Sequence, residues 1–113
     1  MFANIHIGDK DVGMLANAAS PYIYKQVFHE DLLQKFTQMG KDPDNGIGEK
    51  LGFIFAKQAE TSDVTELMKL NMNDFLNWLS EYDPLDVLMA SDEIVKLYQN
   101  QKKGTSAPKK QGE

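Results

Sequence analysis

The stretch that decides the start of the fold is residues 4–16, which read NIHIGDKDVGMLA. Ile5 and Ile7 alternate with polar neighbours. After a polar Gly-Asp-Lys-Asp break, Val12 and Met14 resume the same period-two pattern. Such alternation is typical of strands with one buried face, and a Gly-Asp break between two runs indicates a turn. The sequence therefore predicts a β-hairpin, whose apolar face must pack on helices or on another copy's strands because a lone hairpin is marginal in water.

Helical spacing begins directly after this hairpin. Ser20 is a residue type that caps helices, and Pro21 already has the φ angle of a first helical turn. Apolar residues then recur at three- and four-residue steps as far as Met39, and Gly40 is typical of the position just after a helix. The pattern predicts one amphipathic helix over residues 21–39.

Two more helices are predicted beyond the turn-rich residues 40–48. Helical spacing of apolar residues continues to Ala59, which gives a second amphipathic helix. Asp63 and Glu66 have the spacing of a capping box, with aspartate in place of the usual serine or threonine. We therefore expect a short third helix that stops near Asn71.

The remainder of the chain also reads as helical. Asn73 is the expected cap of the next helix, while Pro84 and Ser91 are expected near the starts of two others. The predicted fold class is mainly α with a short N-terminal β-hairpin, an α+β arrangement in one small helical domain. Its apolar stripes predict the following buried side chains: Tyr24, Phe28, Leu32, Leu51, Ile54, Phe55, Leu76, Leu79 and Leu97.

The end of the chain differs in composition from the rest. Residues 102–113 contain no large apolar residue and include four of the 12 lysines. A segment of this kind cannot bury enough surface to order itself. We therefore divide the chain into a helical domain with its hairpin, residues 1–101, and a flexible basic tail or linker, residues 102–113.

Composition restricts the possible functions. A chain of 113 residues has room for one core. Because it has no cysteine, it can form neither a disulfide nor a thiolate metal site, which fits a protein of a reducing compartment. It has neither an apolar run long enough to span a membrane nor a secretory signal at its start, so a cytoplasmic location is expected. The net charge of −5, with no arginine, would repel a phosphate backbone, so nucleic acid is a poor candidate partner.

Catalytic groups are few. His6 and His29 are the two histidines, and neither lies at a spacing that builds a metal face. The Gly46-Ile47-Gly48 segment lacks the Lys-Ser/Thr ending of a phosphate-binding loop. We interpret its two glycines as part of a loop that leads into a helix. We therefore expect a non-enzymatic protein without a cofactor or metal site.

The apolar side chains are more informative than the polar ones. Six methionines and 10% aromatic residues exceed what one small core must hold, so some of these side chains could contact a partner. The candidates for partner binding are Phe53, Met68, Met72 and Trp78, for which core packing is the default alternative.

Several short motifs follow one another in a fixed order. They are IxIGxKxV at residues 5–12, AASPYxYKxxF at 18–28, DLL at 31–33, AKQA at 56–59, FLxW at 75–78 and EIxxLYxxN at 93–100. Their order and spacing resemble the small tail assembly chaperones encoded by siphophages and prophages of Gram-positive bacteria, over about residues 4–101. One departure is His29, which stands where that family has glycine after the phenylalanine, and we expect a continuous helix there instead of a kink.

The resemblance implies a specific function. Such chaperones bind the tape measure protein, keep that long hydrophobic helical chain soluble and help recruit tail tube subunits. They tend to form homo-oligomers, act in the host cytoplasm and are absent from the mature virion. Many are made in two lengths by a programmed frameshift, and residues 102–113 would suit the linker. The alternative is a small virion structural protein, such as a head–tail joining component.

Overall fold

A computed structural model describes residues 2–32, 34 and 46–106 of the chain, with side chains described through residue 99. These residues form an N-terminal antiparallel hairpin and five helices, which confirms the predicted α+β class. The elements are β1 (Phe2–Ile7), β2 (Lys10–Leu15), α1 (Ser20–Phe28), α2 (Ile47–Glu60), α3 (Val64–Leu67), α4 (Met72–Leu79) and α5 (Pro84–Ser106).

The hairpin has the predicted alternation. Ile5 pairs with Val12, and Ile5, Ile7 and Met14 point into the core. β1 packs against α5 and β2 against α2, so the helices cover the apolar face of the hairpin. Gly8 in the turn has a φ of 65°, a conformation that glycine adopts without steric cost.

The first helix begins where the sequence predicted, but Ser20 is not its cap. The N-cap position is Ala19, and Pro21 lies in the first turn. The buried Ser20 hydroxyl instead donates a hydrogen bond of 2.6 Å to Oε1 of Gln58 on α2. Gln58 Nε2 in turn donates to Asn17 Oδ1 at 2.9 Å, so a buried polar network ties the end of the hairpin to α1 and α2.

The predicted continuous helix at His29 is wrong. α1 ends at Phe28, and His29 adopts the left-handed conformation with a φ of 58° while its N–H donates to the Lys25 carbonyl at 2.8 Å. The turn brings Leu32 into the core, where burial of a leucine side chain contributes about 1.5–3 kcal/mol against a cost of roughly 1–2 kcal/mol for a left-handed residue. The rest of the predicted helix, residues 35–39, lies outside the described residues.

His29→Gly is expected to raise the free energy of unfolding by about 0.5–1 kcal/mol, since glycine removes the Cβ strain at positive φ and only part of that gain is lost to the greater freedom of the unfolded chain. Urea unfolding measures the change. The control is Gln26→Gly at an exposed position inside α1, which should lower the free energy of unfolding by about 1 kcal/mol. Equal destabilisation by both variants would contradict the left-handed helix end.

α3 is capped by Asp63 as predicted, whereas the cap of α4 differs from the prediction. The Asp63 carboxylate caps α3 by accepting from the Thr65 N–H at 3.0 Å. α4 is capped by Asn71 and not by Asn73, because Asp74 stands three residues after Asn71. The Asn71 side chain accepts from the Asp74 N–H at 3.1 Å and the Asp74 carboxylate accepts from the Asn71 N–H at 3.0 Å, which completes a capping box.

The last helix is longer than predicted. Ser91 lies inside α5, where its hydroxyl donates to the Val87 carbonyl at 3.0 Å, so the predicted helix start at Ser91 is wrong. A serine can satisfy its hydroxyl on the preceding turn of a helix without ending it. The helix extends to Ser106, and the division of the chain after residue 101 stays a prediction.

Two glycines allow α5 to cross α2 closely. A Cβ at Gly48 would lie 2.4 Å from Ser91 Cβ and 2.8 Å from Ser91 Cα. One turn later, a Cβ at Gly52 would lie 3.0 Å from Ile94 Cδ1. Gly46 is the N-cap of α2 with a φ of 77°, so it lies at the helix start as predicted. Gly48, in contrast, lies inside α2, where it allows the close approach of α5.

Burial follows the predicted stripes except on α4. The side chains buried as predicted are Tyr24, Phe28, Leu32, Leu51, Ile54, Phe55 and Leu97. Leu79 is partly buried against the core. Leu76 is 54% exposed, which contradicts the prediction, because α4 turns Phe75 and Trp78 inward and the intervening Leu76 points away.

Candidate protein-binding surface

Phe53 lies at the centre of an aromatic cluster in the core. Its ring centroid is 5.5 Å from that of Phe75, 6.0 Å from that of Trp78 and 6.4 Å from that of Phe28, with tilted or edge-on geometries that favour aromatic pairs. Phe53 is fully buried and Trp78 nearly so. In this conformation both candidates pack the core, and a partner could reach Phe53 only if the core opened.

Met68 and Met72 lie at the surface. Met68 follows α3 and Met72 begins α4, and both side chains are more than one third exposed. Leu76 lies one turn after Met72 on the same helix and is also exposed, as is Val64 on α3. We call these four exposed side chains the α3–α4 surface. The structure thus separates the four predicted site residues into two at the surface and two in the core.

A second exposed apolar surface lies on α5 and was missed in the sequence. Leu85, Leu88 and Met89 are 63%, 55% and 73% exposed. Their spacing of three and four residues places them on one face of the helix, opposite the buried Val87 and Ala90. We call Leu85, Leu88 and Met89 the α5 stripe.

The sequence contained a signal for this stripe. A helix that packs on a core needs one apolar stripe that covers at least about 100° of its circumference. Residues 85–97 contain two: Leu85, Leu88 and Met89 form one, and Val87 with Ala90 and Ile94 belongs to another. Because both cannot face the same core, one must point outward. The predicted helix start at Ser91 divided these residues between two helices, so the two faces were not distinguished.

The α5 stripe lies in the most acidic part of the chain. Residues 81–93 contain five acidic residues and no basic residue, namely Glu81, Asp83, Asp86, Asp92 and Glu93. This segment alone has the formal charge of the whole chain, −5. Asp92 pairs with Lys96 at 3.1 Å, but both side chains are exposed and such pairs are weak.

A small cavity adjoins the α3–α4 surface. It has a volume of about 350 Å³ and is lined by Tyr22, Lys25, Gln26 and His29 of the α1 region together with Met68. Tyr22 is among the exposed large apolar side chains. The cavity therefore joins Met68 to the outward face of α1.

A larger open groove of about 610 Å³ lies beside β2, lined in part by Lys10, Lys57, Trp78 and Tyr82. Lys10 Nζ lies 5.0 Å from the centre of the Tyr82 ring. Burial raises the pKa of the Tyr82 phenol above its usual value, and the nearby carboxylates of Glu81 and Glu60 add to the rise. This phenol therefore stays protonated into more alkaline solution than an ordinary tyrosine does.

Among the described residues, the most buried titratable group has a structural partner. The Tyr24 hydroxyl donates to Glu30 Oε1 at 2.9 Å, and Lys50 Nζ lies 3.1 Å from the same oxygen. Burial raises the pKa of Tyr24, and the hydrogen bond to Glu30 and its negative charge raise it further. These contacts join the end of α1 to α2.

Residues typical of metal or catalytic sites are scattered. His6 Nδ1 lies 3.7 Å from Asp11 Oδ1 on the exposed face of the hairpin. Within residues 2–32, 34 and 46–106, no three His, Asp or Glu side chains are grouped so that they could hold a metal ion. Within the same part of the chain, no helix has both the length and the apolar character needed to cross a membrane.

The chain was compared with known proteins in three ways. No protein-family model, no curated protein and no solved structure matches it.

Proposed function

We propose that this protein is a tail assembly chaperone that binds the tape measure protein without catalysing a reaction. In this function it keeps the tape measure protein soluble and helps recruit tail tube protein subunits around it. One observation carries the proposal: a small acidic domain leaves many large apolar side chains exposed on α3, α4 and α5. The choice of family comes from the order of sequence motifs over about residues 4–101.

The exposed side chains suit a hydrophobic helical partner. Seven of them lie between α3 and α5: Val64, Met68, Met72, Leu76, Leu85, Leu88 and Met89. Unbranched methionine side chains adapt to varied apolar surfaces, which favours binding along a chain of changing sequence. An amphipathic helix that lies on such residues buries its own apolar face.

One copy covers only a short part of a long partner. Several copies are therefore needed along one tape measure protein, and a homo-oligomer would supply them. The negative surface would keep loaded complexes apart in the host cytoplasm. As an assembly factor the protein would be absent from the mature virion, whereas the alternative, a head–tail joining component, would be abundant there. Mass spectrometry of purified particles separates these two functions.

Co-expression with the tape measure protein of the same phage or prophage should raise the soluble fraction of that protein several-fold, because its apolar helical faces become covered. The measurement is the ratio of soluble to total tape measure protein. The Met68→Ser/Met72→Ser variant should lower this ratio without a change in melting temperature, since both side chains are exposed.

The matched control for that variant is Asn73→Ser, an exposed polar position on the same helix, which should behave as the unmodified protein does. If the unmodified chaperone leaves tape measure solubility unchanged, the proposed function is wrong. If the methionine variant loses melting temperature, its effect on solubility reports unfolding and not binding.

A further inference from the structure

The outward face of α5 combines apolar and acidic side chains in a short distance. Leu85 and Met89 are four positions apart in the chain, which is about 6 Å along the helix axis. Asp92 lies on the same outward face one turn beyond Leu88, so its carboxylate, which also pairs with Lys96, borders the stripe at that end. At the other end, Asp83 precedes the first turn of α5 and is exposed.

The charge around the stripe decides among possible occupants. A second copy that paired through the same stripe around a two-fold axis would bring residues 81–93 of both chains together, each with five acidic residues. Like charges placed together disfavour such a complex. The lysine-containing residues 102–113 have the opposite charge but no large apolar side chain to cover the stripe.

We infer that the α5 stripe is a docking surface for an amphipathic helix of another protein, whose apolar face is bordered by lysine or arginine. Apolar residues of this helix at three- and four-residue spacing would pack on Leu85, Leu88 and Met89. Its basic side chains would lie against Asp83, Asp92 and Glu93 and would steer its approach. This inference rests on the proposed function, because it names α5 as the part of the chaperone that contacts a basic helical segment of its partner.

The test uses the full chain and two synthetic helical peptides of equal length with the same leucine positions. In one peptide the polar positions flanking the leucines are lysine, and in the other they are glutamate. Fluorescence anisotropy measures the binding of each labelled peptide. The lysine peptide should bind at least tenfold more tightly than the glutamate peptide, and added salt should reduce the difference because exposed charges are screened.

Two variants separate the apolar and electrostatic contributions. Leu85→Ser/Leu88→Ser/Met89→Ser keeps every charge and should weaken binding of the lysine peptide at least tenfold. Asp92→Asn/Glu93→Gln keeps the apolar stripe and should remove part of the preference for lysine. The matched control, Tyr22→Ser at an exposed apolar position of α1, should bind this peptide as tightly as the unmodified chain.

Equal binding of both peptides would overturn the inference, as would full binding by the α5 triple variant. If that variant loses melting temperature, Asp92→Asn/Glu93→Gln decides: an undiminished preference for lysine overturns the inference, and a reduced preference supports it. Failure of the proposed function is seen separately, as a lack of tape measure solubilisation by a chain that still binds the lysine peptide through α5.

Discussion

Truncation of Phe53 to alanine should lower the free energy of unfolding by about 3–5 kcal/mol, the range observed when a buried phenylalanine is replaced in a core. The side chain is fully buried and contacts three aromatic rings, those of Phe28, Phe75 and Trp78. Alanine would leave a cavity that rigid rings cannot readily fill. Urea unfolding followed by tryptophan fluorescence measures the loss, since Trp78 belongs to the same cluster.

The control for this truncation is Met72→Ala, which removes an exposed side chain and should change stability by less than about 0.5 kcal/mol. The comparison separates core residues from partner contacts among the predicted site residues. A stable Phe53→Ala protein that no longer solubilises the tape measure protein would show that Phe53 contacts the partner. A strongly destabilised protein supports its place in the core.

Gly48→Ala is expected to destabilise the protein by about 1–3 kcal/mol, as overpacked cores do, even though alanine favours a helix interior over glycine by about 1 kcal/mol. The new Cβ would lie 2.4 Å from Ser91 Cβ and 2.8 Å from Ser91 Cα. Because one of these atoms belongs to the backbone, a change of rotamer cannot relieve the contact, and α5 must move away from α2. Thermal and urea unfolding measure the effect.

Two further variants test this explanation. Gly52→Ala should cost much less, because its nearest neighbour, Ile94 Cδ1 at 3.0 Å, is the end of a flexible side chain. Ser91→Gly in the Gly48→Ala background should restore part of the stability by removing the Ser91 Cβ, which a double-mutant cycle would report as a favourable coupling. Independent, additive effects of Gly48→Ala and Ser91→Gly would contradict a direct contact between these positions.

Elements with local signals were predictable from the sequence. The hairpin follows from the alternation around Ile5 and Ile7, and α1 begins at Ser20 with Pro21 in its first turn. Predictions that depended on distant contacts were less successful. The end of α1 at His29 depends on the burial of Leu32, which no local rule includes.

The same distinction applies to the continuous α5. Ser91 has the local chemistry of a helix cap, but inside α5 its hydroxyl is satisfied by the Val87 carbonyl. The role of Gly48 depends on the approach of a helix about 40 residues later in the chain, although the Gly48-x-x-x-Gly52 spacing was visible in the sequence.

The candidate surface was predictable in part. Composition indicated an excess of methionine and aromatic side chains, and Met68 and Met72 are exposed. Hydrophobicity alone does not distinguish an exposed Leu85 from a buried Val87, because the direction of each face depends on how α5 lies on α2 and β1. Phe53 and Trp78 illustrate the reverse case, since large aromatic side chains are as suited to a core as to an interface.

The contacts of the hairpin have a consequence for the order in which the protein matures. A ribosome makes residues 2–15 well before α5, yet β1 is covered by α5. Asp86 at the start of α5 reaches the hairpin turn, where a Cβ at Gly8 would lie 2.5 Å from its Oδ2. The nascent chain therefore cannot complete its core until α5 has left the exit tunnel. Leu85, Leu88 and Met89 are positioned in the same event, so the α5 stripe takes its final place only after the whole of α5 has been made.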